Sequence, residues 1–151
     1  MIELIFTVAI MGTAVVALLA GLATAIRISD IHRKQAAAGA QVRTFAEAVE
    51  RAVNRTPSSY VDCATPAAYE SAFTADPGYA RDVVSVRYWR LATPTIPGAW
   101  VTSCGTDSGV QRVTLEVRST EGTADPDDDR AVETIELIIR KPCRAGDPPC
   151  S

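Results

Sequence analysis

One carboxylate, Glu3, stands in a run from Ile2 to Ile26 that holds no other ionisable side chain. A charge in apolar surroundings costs about 2.5–3.5 kcal/mol at mid-membrane and less near the end of a span. Glu3 therefore needs a reason to be there. One reason is local: an acid in the first turn of a helix complements the helix dipole. The other is intermolecular: the carboxylate neutralises the α-amino group of a neighbouring copy.

Four cysteines, Cys63, Cys104, Cys143 and Cys150, all follow the apolar run. An even count on one side of an apolar anchor reads as two disulfides in an oxidising compartment. Three pairings are open on sequence alone. The short loop between Cys143 and Cys150 favours that pair, which leaves Cys63 with Cys104. Zinc is the competing use, but no CxxC pair exists and the lone His32 is far from the cysteines in sequence. Asp125, Asp127 and Asp129 stand at positions one, three and five of a calcium loop, with Glu136 at twelve. Position six is Arg130 instead of glycine, and Glu136 falls in an expected strand. A solvated loop tip is the simpler reading, and no metal or other cofactor is assigned. One histidine, cysteines expected to be oxidised and no glycine-rich phosphate loop leave no constellation for catalysis, so the chain is not expected to be an enzyme. A net charge of −3 gives no reason to expect nucleic acid as a partner. Tyr88, Trp89 and Trp100 can form a recognition surface, although aromatics in such patterns more often pack a core or a sheet face.

These residues must be carried by an anchor and a head. At 1.5 Å per residue, Ile2 to Ile26 makes about 37 Å of helix, enough to cross a ~30 Å hydrocarbon layer with tilt. The run is apolar on all faces, as suits lipid or a protein interior. A cleaved signal peptide would have a shorter apolar stretch after a basic start. Arg27, Arg33 and Lys34 follow the span, which by the positive-inside tendency would put the head in the cytoplasm. The cysteines argue for the other side, and we give them precedence. The head is thus expected outside the cytoplasm on a single-pass anchor.

Beyond Ile26 the helix turns amphipathic. Val42, Phe45, Ala46, Val49, Ala52 and Val53 recur at three- and four-residue spacing, with Arg43, Glu47, Glu50, Arg51 and Asn54 opposite. Glu47 and Arg51 are spaced for an ion pair. Thr56-Pro57 ends the helix, and Gly39 is expected to bend it at most. A short helix is expected within Ala67 to Phe73. Strands are expected over Val83 to Leu91, around Trp100-Val101, over Val110 to Arg118 and over Val132 to Arg140. The last two form a hairpin around the acidic stretch Glu121 to Arg130. Val113, Leu115 and Val117, and Ile135, Leu137 and Ile139, point inward. Neither parity of Val83 to Leu91 is wholly apolar, so its register is open. An α+β fold follows: a long N-terminal helix, transmembrane in its first half and amphipathic in its second, packed on a small antiparallel sheet. The organisation is a span over residues 1–26, its amphipathic continuation over 27–56 and a disulfide-bonded head over 57–151.

The opening residues resemble the type IV pilin and type II secretion pseudopilin superfamily. Mature chains there start with an aromatic residue, a Thr-Leu-Ile-Glu-Leu-like run and a long apolar helix. Met1-Ile2-Glu3-Leu4 is similar to the end of that run, and Ile5-Phe6-Thr7-Val8-Ala9-Ile10-Met11-Gly12 continues it. The family's basic leader, which ends in glycine, has no counterpart before Met1, and about two residues of the mature start are expected to be missing. The resemblance implies a pilin-like head and a structural role in a filament. It implies that Glu3 is the family's glutamate, associated with subunit registration and N-terminal methylation. The implied partners are other pilin or pseudopilin subunits, the membrane, inner-membrane assembly machinery and a prepilin peptidase. Small residues such as Gly12, Ala17 and Gly21 would let neighbouring helices approach closely. Major pseudopilins can hold calcium in a C-terminal loop, which keeps Asp125, Asp127 and Asp129 as weak candidates. The rival expectation is a monomeric, signal-anchored extracytoplasmic binding domain that uses the span only as a tether.

Overall fold

The computed structural model describes residues 2–55, 58–120 and 130–143 of the 151-residue chain. One uninterrupted helix, α1 (Ile2–Asn54), runs for 53 residues, about 80 Å at 1.5 Å per residue. Gly39 does not break it. The sheet order is β2-β1-β3-β4, antiparallel throughout. Its strands are β1 (Tyr79–Arg90), β2 (Ala99–Val101), β3 (Val110–Ser119) and β4 (Val132–Arg140). A single turn of helix, α2 (Ala67–Glu70), lies between α1 and the sheet in sequence. This is the α+β arrangement expected from the pattern of apolar residues, with a long N-terminal helix packed on a small antiparallel sheet.

The core forms where the stripe of α1 meets one face of β1, β3 and β4. Ala38, Val42, Phe45, Ala46, Val49 and Val53 from the helix are buried, as are Val83, Val86 and Tyr88 from β1, Val113, Leu115 and Val117 from β3, and Ile139 from β4. Phe45 stacks on Phe73 with ring centroids 5.3 Å apart, which seals the helix against the loop after α2. Arg43, Glu47, Glu50 and Arg51 are exposed. The Glu47–Arg51 pair is not among the ion pairs of the described residues; two solvated side chains gain only a few tenths of a kcal/mol by meeting.

β1 starts at Tyr79, four residues before the expected Val83, and its mixed pattern has a physical cause. Val83 pairs with Leu115, but Ser85 pairs with Thr114, so one extra residue, Val84, is inserted. The insertion is a β-bulge, which switches the parity of the strand. Val83 faces the core before it, and Val86 and Tyr88 face the core after it, while Val84 is exposed.

Candidate functional site

Two places in the fold combine unusual chemistry with defined geometry. The first is the N-terminal half of α1. Every side chain from Ile2 to Asp30 is exposed, and the first partly buried position is Ile31. The segment is long and apolar enough to cross a membrane, and none of its most apolar window is buried in the chain itself. Its threonine side chains are compatible with an apolar medium. The Thr7, Thr13 and Thr24 hydroxyls donate back to the carbonyls of Glu3, Ile10 and Ala20 at 2.8, 2.9 and 3.0 Å. Each hydroxyl is therefore satisfied without water, as lipid or a dry protein interface requires.

Glu3 is exposed in the first turn of α1 and has no ion-pair partner among the described residues. Gly12 and Gly21 have helical backbone, and a Cβ added at either would meet nothing within 4 Å. Ala17 is likewise exposed. Nothing among the described residues requires small side chains at these three positions. They lie on a bare rod, and the strands α1 chiefly packs against, β3 and β4, meet its C-terminal half.

The second place is a polar knot around Asp107, where the loop after α1 meets the loop before β3. The Asp107 carboxylate accepts from the Tyr60 hydroxyl at 2.9 Å, the Cys63 N–H at 2.7 Å, the Gly109 N–H at 2.7 Å and the Gln111 amide at 2.6 Å. Gln111 is fully buried. It also donates to the Val61 carbonyl and accepts from the Tyr69 hydroxyl, each at 2.9 Å. Cys63 and Cys104 form a disulfide beside it, with Cα atoms 5.6 Å apart. The disulfide and the Asp107 acceptor together hold Cys63 in left-handed backbone (φ 54°), a conformation that costs a non-glycine residue about 1–2 kcal/mol. Gly109, at φ 80°, takes the other left-handed position without that cost.

Burial pushes the Asp107 carboxyl up, but the donors from Cys63, Gln111, Gly109 and Tyr60 outweigh it and hold it below its ordinary 3.8. Burial raises Tyr60 further still, followed by its hydrogen bond to Asp107, and it raises Tyr69 to about 12. Both tyrosines stay neutral donors at physiological pH. Cys63, Cys104 and Asp107 converge within ligand distance of one another, yet both sulfurs are consumed by the disulfide and the carboxylate oxygens already face four donors. The knot is built to fix loops, not to hold a cation.

Cys143 is also disulfide-bonded; its expected partner, Cys150, lies outside the described residues. Asp125, Asp127 and Asp129 lie outside them as well. Glu136 is exposed on β4, where it faces the Arg112 guanidinium at 3.4 Å. The knot has one faint sequence signal, the Asp107-Ser108-Gly109 turn three residues past Cys104. Compared with protein-family models, curated proteins and solved structures, the chain matches none.

Proposed function

We propose that the chain is a membrane-anchored filament subunit of the pilin or pseudopilin kind, stored in the membrane by the first half of α1 and assembled through it. The observation that carries this reading is the continuity of α1. One uninterrupted helix leaves the head's core at Ala38 and continues into a bare apolar rod that carries Glu3 in its first turn. A simple tether needs no rigid connection to its cargo. A filament subunit does, because the head must be placed by the packing of the rods. In assembly, rod-to-rod contacts replace lipid contacts, and Gly12, Ala17 and Gly21 bring backbones close. Glu3 pairs with the α-amino group of a neighbour, and the low dielectric makes the unpaired state costly.

The Cys63–Cys104 disulfide supports a head outside the cytoplasm. The role is structural, with no chemical step. Membrane, sister subunits, an inner-membrane assembly machine and a prepilin peptidase are the partners this reading implies. The test uses the full chain in membranes, with cross-linking to count copies. Wild type is expected to give a ladder of oligomers, and Glu3→Ala to insert normally but lose the ladder. A wild-type chain that stays monomeric in the bilayer would favour the tether and defeat the proposal.

A further inference from the structure

The sheet face turned away from α1 has charge at one end that the fold itself does not neutralise. Residues between the buried positions of each strand point outward. Arg87 lies on β1 between buried Val86 and Tyr88, Arg112 lies on β3 between buried Gln111 and Val113, and Arg140 follows buried Ile139 on β4. Arg87 and Arg112 are directly opposed across the β1–β3 ladder. Like charges in that position destabilise a sheet. Arg112 is partly compensated, since its guanidinium lies 5.0 Å from the Trp100 ring centroid and 3.4 Å from Glu136. Trp100 is held edge-on by Trp89, its cross-strand partner, at 5.3 Å. Arg87 and Arg140 have no ion-pair partner among the described residues and are exposed. Arg112 braced on Trp100, with the guanidiniums of Arg87 and Arg140 left open beside it, fits an anionic partner.

The chain carries a matching anion. Glu121, Asp125, Asp127, Asp128 and Asp129 fall in the stretch joining β3 to β4. That stretch departs between Ser119 and Ala131, at the opposite end of the sheet from the arginines. The departure point lies on the side of the rod: Glu133, one pair of residues further in, comes within 4.0 Å of a Cβ placed on Gly39. Ser119 to Arg112 is about 23 Å along the strand, and Ser119 to Val110, opposite Arg140, is about 30 Å, at 3.3 Å per residue. Residues 120–130 extend about 19 Å out and back when pulled taut, and a relaxed chain of that half-length covers only about 13 Å. The taut backbone of one chain's segment therefore falls short of that chain's own arginines. A second copy displaced along the strands meets it without strain.

We propose that the basic end of the outer sheet face, centred on Arg87 and Arg140, docks the acidic segment 121–129 of a second copy, so that adjacent heads join by charge complementarity. The inference rests on the filament reading and adds the contact that orients the heads. Because each whole chain carries a net −3, charge complementarity favours this orientation over like-charged ones, which makes the contact a selector of register more than a source of affinity.

The test is trans-complementation in the full chain reconstituted in lipid vesicles, with oligomers trapped by brief cross-linking. Arg87→Glu/Arg140→Glu makes face and segment both acidic; Asp125→Lys/Asp127→Lys/Asp129→Lys makes both basic. Each variant alone is expected to lose the ladder about tenfold, while an equal mixture recovers it, and raising the salt weakens the wild-type ladder. Near-ultraviolet circular dichroism of each variant checks that the head is folded. Normal ladders from folded single variants, or no recovery on mixing, would overturn the docking while leaving the Glu3-dependent filament standing. Retention of wild type on a single-stranded oligonucleotide, lost with Arg87→Glu/Arg140→Glu while the ladder persists, would reassign the face to nucleic acid. No ladder from wild type at all, with Glu3 intact, would defeat the filament reading and the docking together.

Discussion

The two halves of α1 share a helix and obey opposite rules. From Ile31 onward, apolar side chains are spaced to meet one sheet face, and the charged ones are turned away. Before Ile31 there is no preferred face, and every described side chain is exposed. The head is complete in itself: its buried polar side-chain atoms all have partners among the described residues. The rod is incomplete, with apolar surface on every side and glycines that no intrachain neighbour demands. One region is optimised within the chain and the other against something outside it. Substitutions should therefore separate cleanly into those that act on the stability of the head and those that act on insertion or assembly.

The sharpest contrast comes from truncating a large side chain in each half. Leu115 is fully buried between α1 and its strand neighbours, so Leu115→Ala should cost about 2–5 kcal/mol in the unfolding of the head. Leu18, 74% exposed on the rod, should give Leu18→Ala less than about 0.5 kcal/mol in the same measurement. Urea unfolding of the detergent-solubilised chain, followed by Trp89 and Trp100 fluorescence, reads both. Equal losses would mean that the rod is part of the folded core.

Next in size is the disulfide. Cys63 and Cys104 are separated by 41 residues, and opening a loop of that length should cost the head about 2–4 kcal/mol. Cys63→Ser/Cys104→Ser should show that loss in urea and leave membrane insertion untouched. The Asp107 knot comes third. Asp107→Asn replaces an acceptor for four donors and should cost about 1–2 kcal/mol. It should also change the pH response. The folded-state carboxyl is held below its unfolded value, so its contribution is fully present above about pH 4 and is lost as pH falls through the lower, folded value. Wild-type head stability should decline on acidification in that window, and the Asn variant should decline less steeply. Identical slopes would show that other carboxyls carry the acid sensitivity.

Legibility in the sequence divides along similar lines. The stripe from Val42 to Val53 and the alternation of Val113, Leu115 and Val117 could be read because each depends on local periodicity. β1 could not be registered, because the bulge at Val84 hides two half-strands of opposite parity in one run. The Asp107 knot leaves only a turn signal in the sequence, for another reason. Its donors at Cys63 and Tyr60 lie 44 and 47 residues away, and only the topology brings them together. The arginine face was hidden similarly: Arg87, Arg112 and Arg140 share one end of the sheet through strand pairing, not through spacing. Glu3 stood out at once, since a lone charge in an apolar run is a departure from its own neighbourhood.

The smallest expected effect on the head is the most telling for the rod. Gly21 has helical backbone and open space where a Cβ would go, so Gly21→Leu creates no clash within the chain. Glycine is about 1 kcal/mol worse than alanine inside a helix, and leucine is a good helix former, so the isolated helix should gain a little. Head unfolding should move by less than about 0.5 kcal/mol, and insertion should be unchanged or improved, since leucine suits lipid. Only a neighbouring helix seated closely at Gly21 would object to the larger side chain, as a small-residue contact does. A shorter cross-linking ladder from a chain that inserts and folds as well as wild type would then locate the helix contact at Gly21. An unchanged ladder would move that contact to another side of the rod, and the paired substitution Gly12→Leu tests whether it lies nearer Glu3.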